Sequence, residues 1–232
     1  MVRNADKESG GVTSSSMNRG SRTDVVGGGW IGDSAWGCFR RDIRHEYHDT
    51  GTLPATLQRL GVIKGSLRPW ARFDGLSSLV CCAVGLALHD VSAEHPIAGD
   101  VGIVGANIEG ALKANVDFYR DYIGSGRQVA RGSLFVHTLP SSPVSQASIQ
   151  FRLCGPQYHV TPATNRLSEV VAAAALSLTA GDADAMVIVG THGPEALAVV
   201  VATRTGSVDA RSLDALVRES GLTSRWGKEQ TS

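Results

Sequence analysis

The stretch of residues 170–180 places the strongest constraint on how this chain can fold. It carries no charged side chain, and five of its residues are alanine. Alanine and leucine favour the helical conformation, so the stretch predicts a helix. A helix at a protein surface has a polar face opposite its apolar stripe, whereas this one is small or apolar on nearly every side. We therefore expect an Ala-rich helix that is buried on both sides, between two layers of structure.

Short apolar runs elsewhere predict strands, and longer periodic segments predict further helices. The expected strands are residues 24–26, 101–104, 158–163, 185–189 and 197–202. The other expected helices are residues 76–91, 111–123, 145–153 and 211–220. Most of the strand sequences do not alternate between apolar and polar residues, which is typical of strands covered on both faces. The pattern predicts an α/β layered fold with a mainly parallel sheet.

The ends of the chain differ in composition from its centre. Residues 1–22 are mostly Ser, Gly, Asn and charged residues, so we expect a disordered lead-in, followed by one domain over residues 23–222 and a polar tail over residues 223–232. Within the domain, residues 27–32 match the pattern G-x-G-x-x-G. A dinucleotide site would need a helix and a second strand directly afterwards, and neither follows. A glycine-rich turn after the first strand is the preferred interpretation, and no cofactor is expected.

Composition argues against several classes of function. Lys and Arg together number 22, and Asp and Glu also number 22, so no overall positive charge attracts nucleic acid or a membrane surface. No apolar run reaches the roughly 18 residues of a membrane-spanning helix, and the N-terminus lacks the apolar core of a secretory signal. The four cysteines form no Cys-x-x-Cys pair. We expect a cytoplasmic protein with reduced structural thiols, without a bound metal ion.

Four segments carry a resemblance to a known family. They are Thr-Leu-Pro-Ser-Ser-Pro at 138–143, Ser-Ile-Gln-Phe-Arg-Leu at 148–153, Gly-Pro at 155–156 and Gly-Asp-Ala-Asp-Ala-Met at 181–186. In this order they resemble the N-terminal half of β-ketoacyl-acyl-carrier-protein synthases, and a weaker likeness covers residues 24–204. The resemblance implies the thiolase fold, in which two similar halves, each with a five-stranded sheet, stack in alternating layers. For this chain it implies one such half-fold.

The sequence departs from the pattern of the condensing enzymes at two points. Their nucleophilic cysteine lies where a strand turns into a buried helix, and the corresponding position here is Thr164. A threonine hydroxyl is a weak nucleophile without a positioned base, whereas the helix terminus alone would acidify a thiol. Cys154 lies on the other side of the Gly-Pro turn. The second half, which carries two assisting histidines in the family, has no counterpart in the chain. We therefore expect no condensation by this chain alone.

Family members without the cysteine act as chain-length factors, and short versions resembling only the first half are related to those of aryl-polyene clusters. The resemblance implies a heterodimer with an active ketosynthase in fatty acid, polyene or polyketide biosynthesis, and contact with an acyl carrier protein. It implies antiparallel pairing of the strand at 158–163 with the partner's strand, and a place for residues 135–143 near the partner's acyl channel. The expected interface and channel residues are Phe135, Thr138, Leu139, Pro140, Tyr158, Val160, Pro162, Ala163 and Thr164.

Two other interpretations stay open. The chain could be an acyltransferase or hydrolase with displaced chemistry. Its candidate groups are Thr164, Ser168 and Cys154 as nucleophiles and His159 and His192 as bases, with His137 expected to be structural. The chain could also be a homodimer that only binds an acyl carrier protein. Arg40, Arg41 and Arg44 would then contact the acidic carrier, although such a group is typical of a solvated surface.

Overall fold

The computed structural model describes residues 22–47, 49–91, 96–97, 99–107, 109–127, 131–161 and 168–204. The strands are β1 (Arg22–Ile31), β2 (Ala35–Cys38), β3 (Ile43–Glu46), β4 (Val101–Ala106), β5 (Gln157–Val160), β6 (Ala185–His192) and β7 (Glu195–Arg204). The helices are α1 (Leu53–Arg59), α2 (Gly75–Asp90), α3 (Leu112–Gly124), α4 (Gly132–Phe135), α5 (Ser142–Phe151) and α6 (Ser168–Ala180). Short 3-10 turns occupy Thr50–Thr52 and Arg68–Arg72. The lead-in up to residue 21, the helix expected at 211–220 and the polar tail lie outside the described residues.

All described strands belong to one sheet, in the order β3-β2-β1-β7-β6-β4-β5. Strands β5, β4 and β6 run parallel, while the pairs β6–β7, β7–β1, β1–β2 and β2–β3 are antiparallel. The sheet is mixed and seven-stranded, so the expectation of a mainly parallel, five-stranded sheet is wrong in this detail. All five expected strands are present, and β2 with β3 form an additional hairpin at the edge.

The antiparallel pairing of β6 and β7 has a local cause. His192 pairs directly with Glu195, so only Gly193 and Pro194 connect the two strands. A two-residue connection permits only an antiparallel neighbour, because a parallel return needs a crossover of a dozen or more residues. Gly193 has a φ of 56°, a left-handed conformation that glycine adopts without steric cost. Two apolar runs separated by Gly-Pro were therefore a hairpin signal in the sequence.

The helix buried on both sides is α2, and not the Ala-rich helix α6. Residues 79–87 of α2 are all buried, between the strands β1, β7 and β6 on one side and helix α5 on the other. In α6 the sheet-facing side chains Val170, Ala174 and Leu178 are buried, whereas Leu176 is 71% exposed. The sequence of α2 is free of Asp, Glu, Lys and Arg up to its last residue. Both helices thus carry the same compositional signal, and only α2 is covered on both sides within the described residues.

The triple glycine of β1 allows α2 to lie directly on the strand. A Cβ atom at Gly29 would be 2.3 Å from the Cβ of Leu86, and one at Gly27 would be 2.7 Å from the carbonyl oxygen of Ala87. Both distances are shorter than van der Waals contact, so no larger residue fits without moving the helix. These glycines lie inside a strand, which makes the expected glycine-rich turn wrong. They are packing residues, and the G-x-G-x-x-G match has no helix after it.

A buried carboxylate fixes the C-terminal end of α2 to the sheet. Asp90 is 1% exposed and accepts hydrogen bonds from the backbone N–H groups of Gly28, Arg40 and Arg41, each at 2.9 Å. Hydrogen bonds to a carboxylate are among the stronger ones in proteins, and a buried donor left without a partner is costly. Asp90 therefore ties one helix to both β1 and the turn that connects β2 and β3.

We expect Gly29→Ala to lower the free energy of unfolding by about 1–3 kcal/mol, because the added methyl group must displace α2. Gly75→Ala is the matched control, since a Cβ there meets no atom within 4 Å and Gly75 lies at the first turn of the same helix. The control should leave the free energy unchanged or raise it by up to about 1 kcal/mol. Urea unfolding followed by circular dichroism measures both. Equal stability of the two variants would contradict the packing role of Gly29.

Candidate functional site

Strand β5 forms one edge of the sheet and leads toward the expected nucleophile position. It pairs in parallel with β4, with Tyr158 opposite Val104 and Val160 opposite Ala106. Within the described part of the chain, β4 is its only strand neighbour. Residues 162–167, which include Pro162, Ala163 and Thr164, lie outside the described residues. Any chemical role of Thr164 therefore stays a prediction.

Tyr158 connects β5 to helix α6. Its hydroxyl group lies 3.0 Å from the carbonyl oxygen of Ala173, to which it donates, and 2.5 Å from the hydroxyl of Ser177. Both partners lie on one flank of α6, so these contacts hold the helix against the edge of the sheet. The tyrosine that was expected at an interface is thus also a structural link within the chain. Val160, the next residue on the same side of β5, packs with Tyr158 against the apolar cluster that includes Val170 and Ala174 of α6.

His159 points to the opposite side of the sheet, toward α5. Its Nδ1 lies 3.6 Å from the position that a Cβ on Gly105 would take, on the side where Val144 of α5 packs. Burial lowers the pKa of His159, and a hydrogen bond with the Asn107 backbone partly opposes this shift. The ring is therefore largely neutral at pH 7. The Nε2 atom is buried and has no hydrogen-bond partner among the described groups.

The structure does not bring Cys154 together with His159. The residue after Cys154, Gly155, donates its N–H to the carbonyl of Val101, at the start of β4. His159 pairs with Gly105, four positions further along β4. At about 3.3 Å per strand residue, the two candidate groups are about 13 Å apart along the sheet. A nucleophile and its base must approach to about 3 Å, so these residues do not form a catalytic pair.

The other candidate histidines also lack a described nucleophile. His137 is buried, and its Nε2 lies 2.9 Å from the carbonyl oxygen of Arg72 while its Nδ1 lies 3.7 Å from Asp74. It therefore connects the loop before α5 to the start of α2, as expected for a structural residue. His192 lies at the β6–β7 turn, opposite Glu195. The structure does not describe the side chain of Ser168. Among the described residues, none of the candidate nucleophiles lies next to a candidate base. The structure therefore adds no support to the acyltransferase or hydrolase interpretation.

An exposed apolar surface lies on α3, α4 and the loop after them. We call this surface the α3–α4 patch. Its members are 45% to 62% exposed, and they are Leu112, Val116, Tyr119, Ile123, Phe135, Val136 and Leu139. The first four occupy one stripe of α3, which points to solvent and not to the core. The spacing of this stripe was visible in the sequence, but its outward direction was not.

Internal contacts give the α3–α4 patch a defined shape. Phe118 of α3 packs edge-to-face on Phe135, with ring centroids 5.6 Å apart. Asn115 donates from Nδ2 to the carbonyl oxygen of Thr138 at 3.0 Å. Pro140 approaches Gly110, which follows β4, to within van der Waals contact of a Cβ position there. Four expected interface residues, Phe135, Thr138, Leu139 and Pro140, thus lie together near the carboxyl end of β4.

The arginines of the expected basic group are exposed, but two of them also make local contacts. Arg41 donates from Nε to the carbonyl oxygen of His89 at 2.7 Å. Arg44 lies over the ring of Trp30, with its Cζ atom 5.4 Å from the ring centroid. Among the described residues no cluster of His, Cys, Asp and Glu could hold a metal ion. No helix in the described ranges is both long and apolar enough to cross a membrane.

The four cysteines differ strongly in environment. Burial raises the pKa of Cys38 to about 12, and burial raises the pKa values of Cys81 and Cys82 even further. Cys154 is exposed, and its thiol lies 3.5 Å from the carbonyl oxygen of Arg152. A thiol reacts as its thiolate, so the three buried groups should be inert.

We therefore expect the native protein to react with Ellman's reagent at one thiol, and the denatured protein at four. The variant Cys154→Ser should abolish the fast native reaction and leave three thiols after denaturation. The matched control Cys38→Ser should keep the fast reaction. More than one rapidly modified thiol in the native protein would contradict the described burial of Cys38, Cys81 and Cys82.

No family model and no curated protein matches the sequence. Comparison with solved structures does find similar folds. The ishigamide ketosynthase/chain length factor aligns at a TM-score of 0.55 with 15% identity, over 84% of this chain and 65% of that chain. The ketosynthase ApeO in complex with its chain length factor ApeC from Xenorhabdus doucetiae aligns at a TM-score of 0.53 with 13% identity, over 79% of this chain and 80% of that chain. A type II PKS acyl-carrier protein in complex with its ketosynthase, AntDE:AntF, aligns at a TM-score of 0.52 with 14% identity, over 79% of this chain and 63% of that chain.

The chain spans less than two thirds of the first and third of these matched chains. At identities of 13% to 15%, the similarity concerns the fold. The expectation that came from the four sequence segments is confirmed at that level. The chain has the ketosynthase-like thiolase fold.

Proposed function

We propose that this chain is a non-catalytic, chain-length-factor-like subunit that pairs with an active β-ketoacyl-acyl-carrier-protein synthase. In this role it would form part of the wall of the partner's acyl channel during fatty acid, polyene or polyketide synthesis. The observation that carries the proposal is that the described residues leave open both the edge of β5 and the α3–α4 patch. Together they provide hydrogen-bonding groups and apolar surface for one protein partner.

The edge of β5 presents backbone groups that β4 does not use. Ile103 donates its N–H to the carbonyl of Pro156 at 2.8 Å. In a parallel ladder, alternate residues bond to the neighbouring strand, so Gln157 and His159 direct their N–H and C=O groups away from β4. Such an edge is a template for a strand from another chain. Antiparallel pairing with an equivalent strand of a ketosynthase would continue the sheet across a heterodimer.

The α3–α4 patch adds the apolar part of the interface. Seven large apolar side chains are exposed there, and a partner would remove them from water. Clustered exposed apolar side chains mark sites of protein interaction more often than scattered single residues do. Phe135 and Leu139 lie within the segment 135–143, which the resemblance relates to the acyl channel. We assign them to the wall of that channel.

Three further findings support a partner role over catalysis. No nucleophile and base come within reach of each other in the described ranges, and threonine stands at the position of the family's cysteine. The match to the complex of ApeO with ApeC covers nearly equal shares of both chains, 79% and 80%, so the matched chain is about as long as this one. A short chain with this fold therefore occurs within a complex of a ketosynthase and its chain length factor.

An acyl carrier protein is the second partner in this proposal. Arg40, Arg41 and Arg44 are exposed at and near the β2–β3 turn, where their charges could meet an acidic carrier. The structural match to a carrier protein in complex with its ketosynthase is consistent with this part of the proposal. The contact would be weak and salt-dependent, because exposed charges are screened by ions.

Gln157→Pro tests the edge of β5. The substitution removes an N–H group that faces away from β4, while the side chain it replaces is exposed. We expect the chain to bind the ketosynthase encoded in the same genome about 10-fold more weakly, because an interface hydrogen bond is lost and the partner's acceptor stays unpaired. Titration calorimetry measures the affinity, and light scattering after gel filtration checks the 1:1 complex.

Gln157→Ala is the matched control and should bind as the wild type does, since it keeps the backbone donor. Thermal unfolding of the unbound chain should be similar for both variants. A wild-type chain that stays a monodisperse monomer with no affinity for the ketosynthase would overturn the proposal. Equal affinities of the proline and alanine variants would remove β5 from the interface.

Incubation with acyl-carrier thioesters tests the displaced-chemistry alternative. We expect the isolated chain to gain no acyl mass, because the described residues provide no activated nucleophile. Intact-protein mass spectrometry after incubation gives the result, and the ketosynthase in the same mixture is the positive control. An acyl adduct on this chain that persists in Cys154→Ser would favour catalysis by another residue.

A further inference from the structure

The apolar stripe of α3 points away from the rest of the protein. Its members are 45% to 62% exposed, and they are Leu112, Val116, Tyr119 and Ile123. The far side of the helix makes contacts within the chain, where Phe118 packs on Phe135 and Asp121 pairs with Arg131. A helix owes most of its stability to an apolar face that packs against other structure. The α3 stripe is therefore a face that a further element can cover.

The spacing of the α3 stripe indicates which kind of element fits it. Its successive members are four, three and four positions apart, which is the alternating spacing of a coiled-coil seam. Side chains with this spacing form a narrow row along one helix and fit between those of a second helix that crosses at about 20°. The row is about 17 Å long, so it has room for about three turns of the second helix.

One edge of the α3 stripe is positively charged. Lys113 and Arg120 lie along it, and their side chains are 88% and 75% exposed. Both contact the carboxylate of Asp117, at 2.6 Å and 3.2 Å. A lysine has several N–H donors and an arginine has more, so both side chains keep donors for a second carboxylate. Exposed ion pairs contribute little to stability, so this edge can accept further acidic groups at small cost.

The other edge of the α3 stripe is uncharged and borders the rest of the α3–α4 patch. Asn115 lies there and donates to the carbonyl oxygen of Thr138. Phe118, further round the same side of the helix, packs on Phe135. An element that lies on the stripe therefore meets positive charge along one edge and mainly apolar groups along the other.

We propose that the α3 stripe binds one amphipathic helix of the partner protein, packed along α3 as in a two-stranded coiled coil. The bound helix has an apolar seam, carboxylates on the edge that meets Lys113 and Arg120, and apolar residues on the edge that meets Phe135. The inference rests on the proposed function. A seam of this size is much smaller than the roughly 20–30 residues that each side of a stable interface contributes. The helix is therefore one element of the larger interface with the ketosynthase.

A second copy of α3 fits the stripe poorly. Around a twofold axis that crosses the helices, two copies pair antiparallel, and each edge meets the same edge of the other copy. Lys113 of one copy then faces Arg120 of the other, and like charges that face each other disfavour a complex. Charge complementarity therefore favours a helix with acidic residues over self-association of this chain.

Charge removal tests the positive edge. The double variant Lys113→Gln with Arg120→Gln should bind the ketosynthase encoded in the same genome about 10-fold more weakly, and its affinity should depend less on salt. Arg59→Gln with Lys64→Gln is the matched control, because it removes the same charge at exposed positions outside the α3–α4 patch. The control should bind within about 2-fold of the wild type. Titration calorimetry at two NaCl concentrations measures both, and equal affinities of the two double variants would overturn the inference.

Carbodiimide cross-linking tests for the acidic residues directly. The reagent activates a carboxylate, the Lys113 amine attacks it to form an amide, and the carbodiimide leaves as a urea that has taken up the elements of water. We expect mass spectrometry to find Lys113 joined to an Asp or Glu of the ketosynthase. Lys113→Arg is the matched control, because it keeps the charge and the affinity but has no amine for this amide. Absence of the product from the wild-type complex would contradict the acidic edge.

Photo-cross-linking identifies the secondary structure of the bound element. A benzophenone amino acid replaces Leu112, Val116 or Ile123 in separate variants, and the exposed Leu176 of α6 in the control. We expect the three stripe probes to label ketosynthase residues that are three or four positions apart, as on one face of a helix, and the control to label none of them. Labelled residues at alternate positions, as in a strand, or links between two copies of this chain would overturn the inference.

The same measurements separate this inference from the proposed function. A wild-type chain that forms the 1:1 complex but shows neither the charge dependence nor the helical labelling overturns the inference and leaves the proposed function in place. A wild-type chain that forms no complex with the ketosynthase overturns both.

Discussion

The close contact between α2 and the glycines of β1 is the constraint on which the rest of the structure depends. At Gly27 and Gly29 the helix lies so near the strand that a methyl group would overlap its backbone. This distance places α2 inside the protein, with the sheet below and α5 above, and Asp90 fixes its end by three backbone hydrogen bonds. Because α2 covers β1, β7 and β6 on one face and α5 covers β4 and β5 on the same face, helix α6 packs on the other face. The order of layers therefore depends on this glycine-lined contact.

The same geometry explains which parts of the fold could be predicted from the sequence. All five expected strands and the helices within the described range are present, because β-branched runs and periodic apolar residues report local structure directly. The directions of the strands could not be predicted from such local patterns. The exception is the two-residue connection Gly193-Pro194, which indicates that β6 and β7 are antiparallel. The burial of α2 and α6 could not be separated either. Their compositions are alike, and the difference depends on which neighbours cover each helix, a property of distant residues.

The features of the candidate site could likewise be predicted from the sequence only in part. The segment 135–140 could be placed near a surface because its resemblance to a family covers that loop, and the structure groups its residues beside the stripe of α3. The two roles of Tyr158 were not predictable, since its hydrogen bonds to Ala173 and Ser177 join residues on two elements. The separation of Cys154 from His159 was not predictable from their spacing of five positions. It results from the extended course of residues 155–159, which begins beside Val101 at the start of β4 and brings His159 opposite Gly105, near the end of β4.

The two surfaces that the described residues leave open differ in chemistry, and this difference indicates what can cover each of them. The β5 edge offers backbone donors and acceptors, which only another strand can satisfy along its length. The α3–α4 patch offers rigid aromatic and branched side chains, which suit the centre of a protein interface. Both surfaces therefore suit a protein partner, as the proposed function requires.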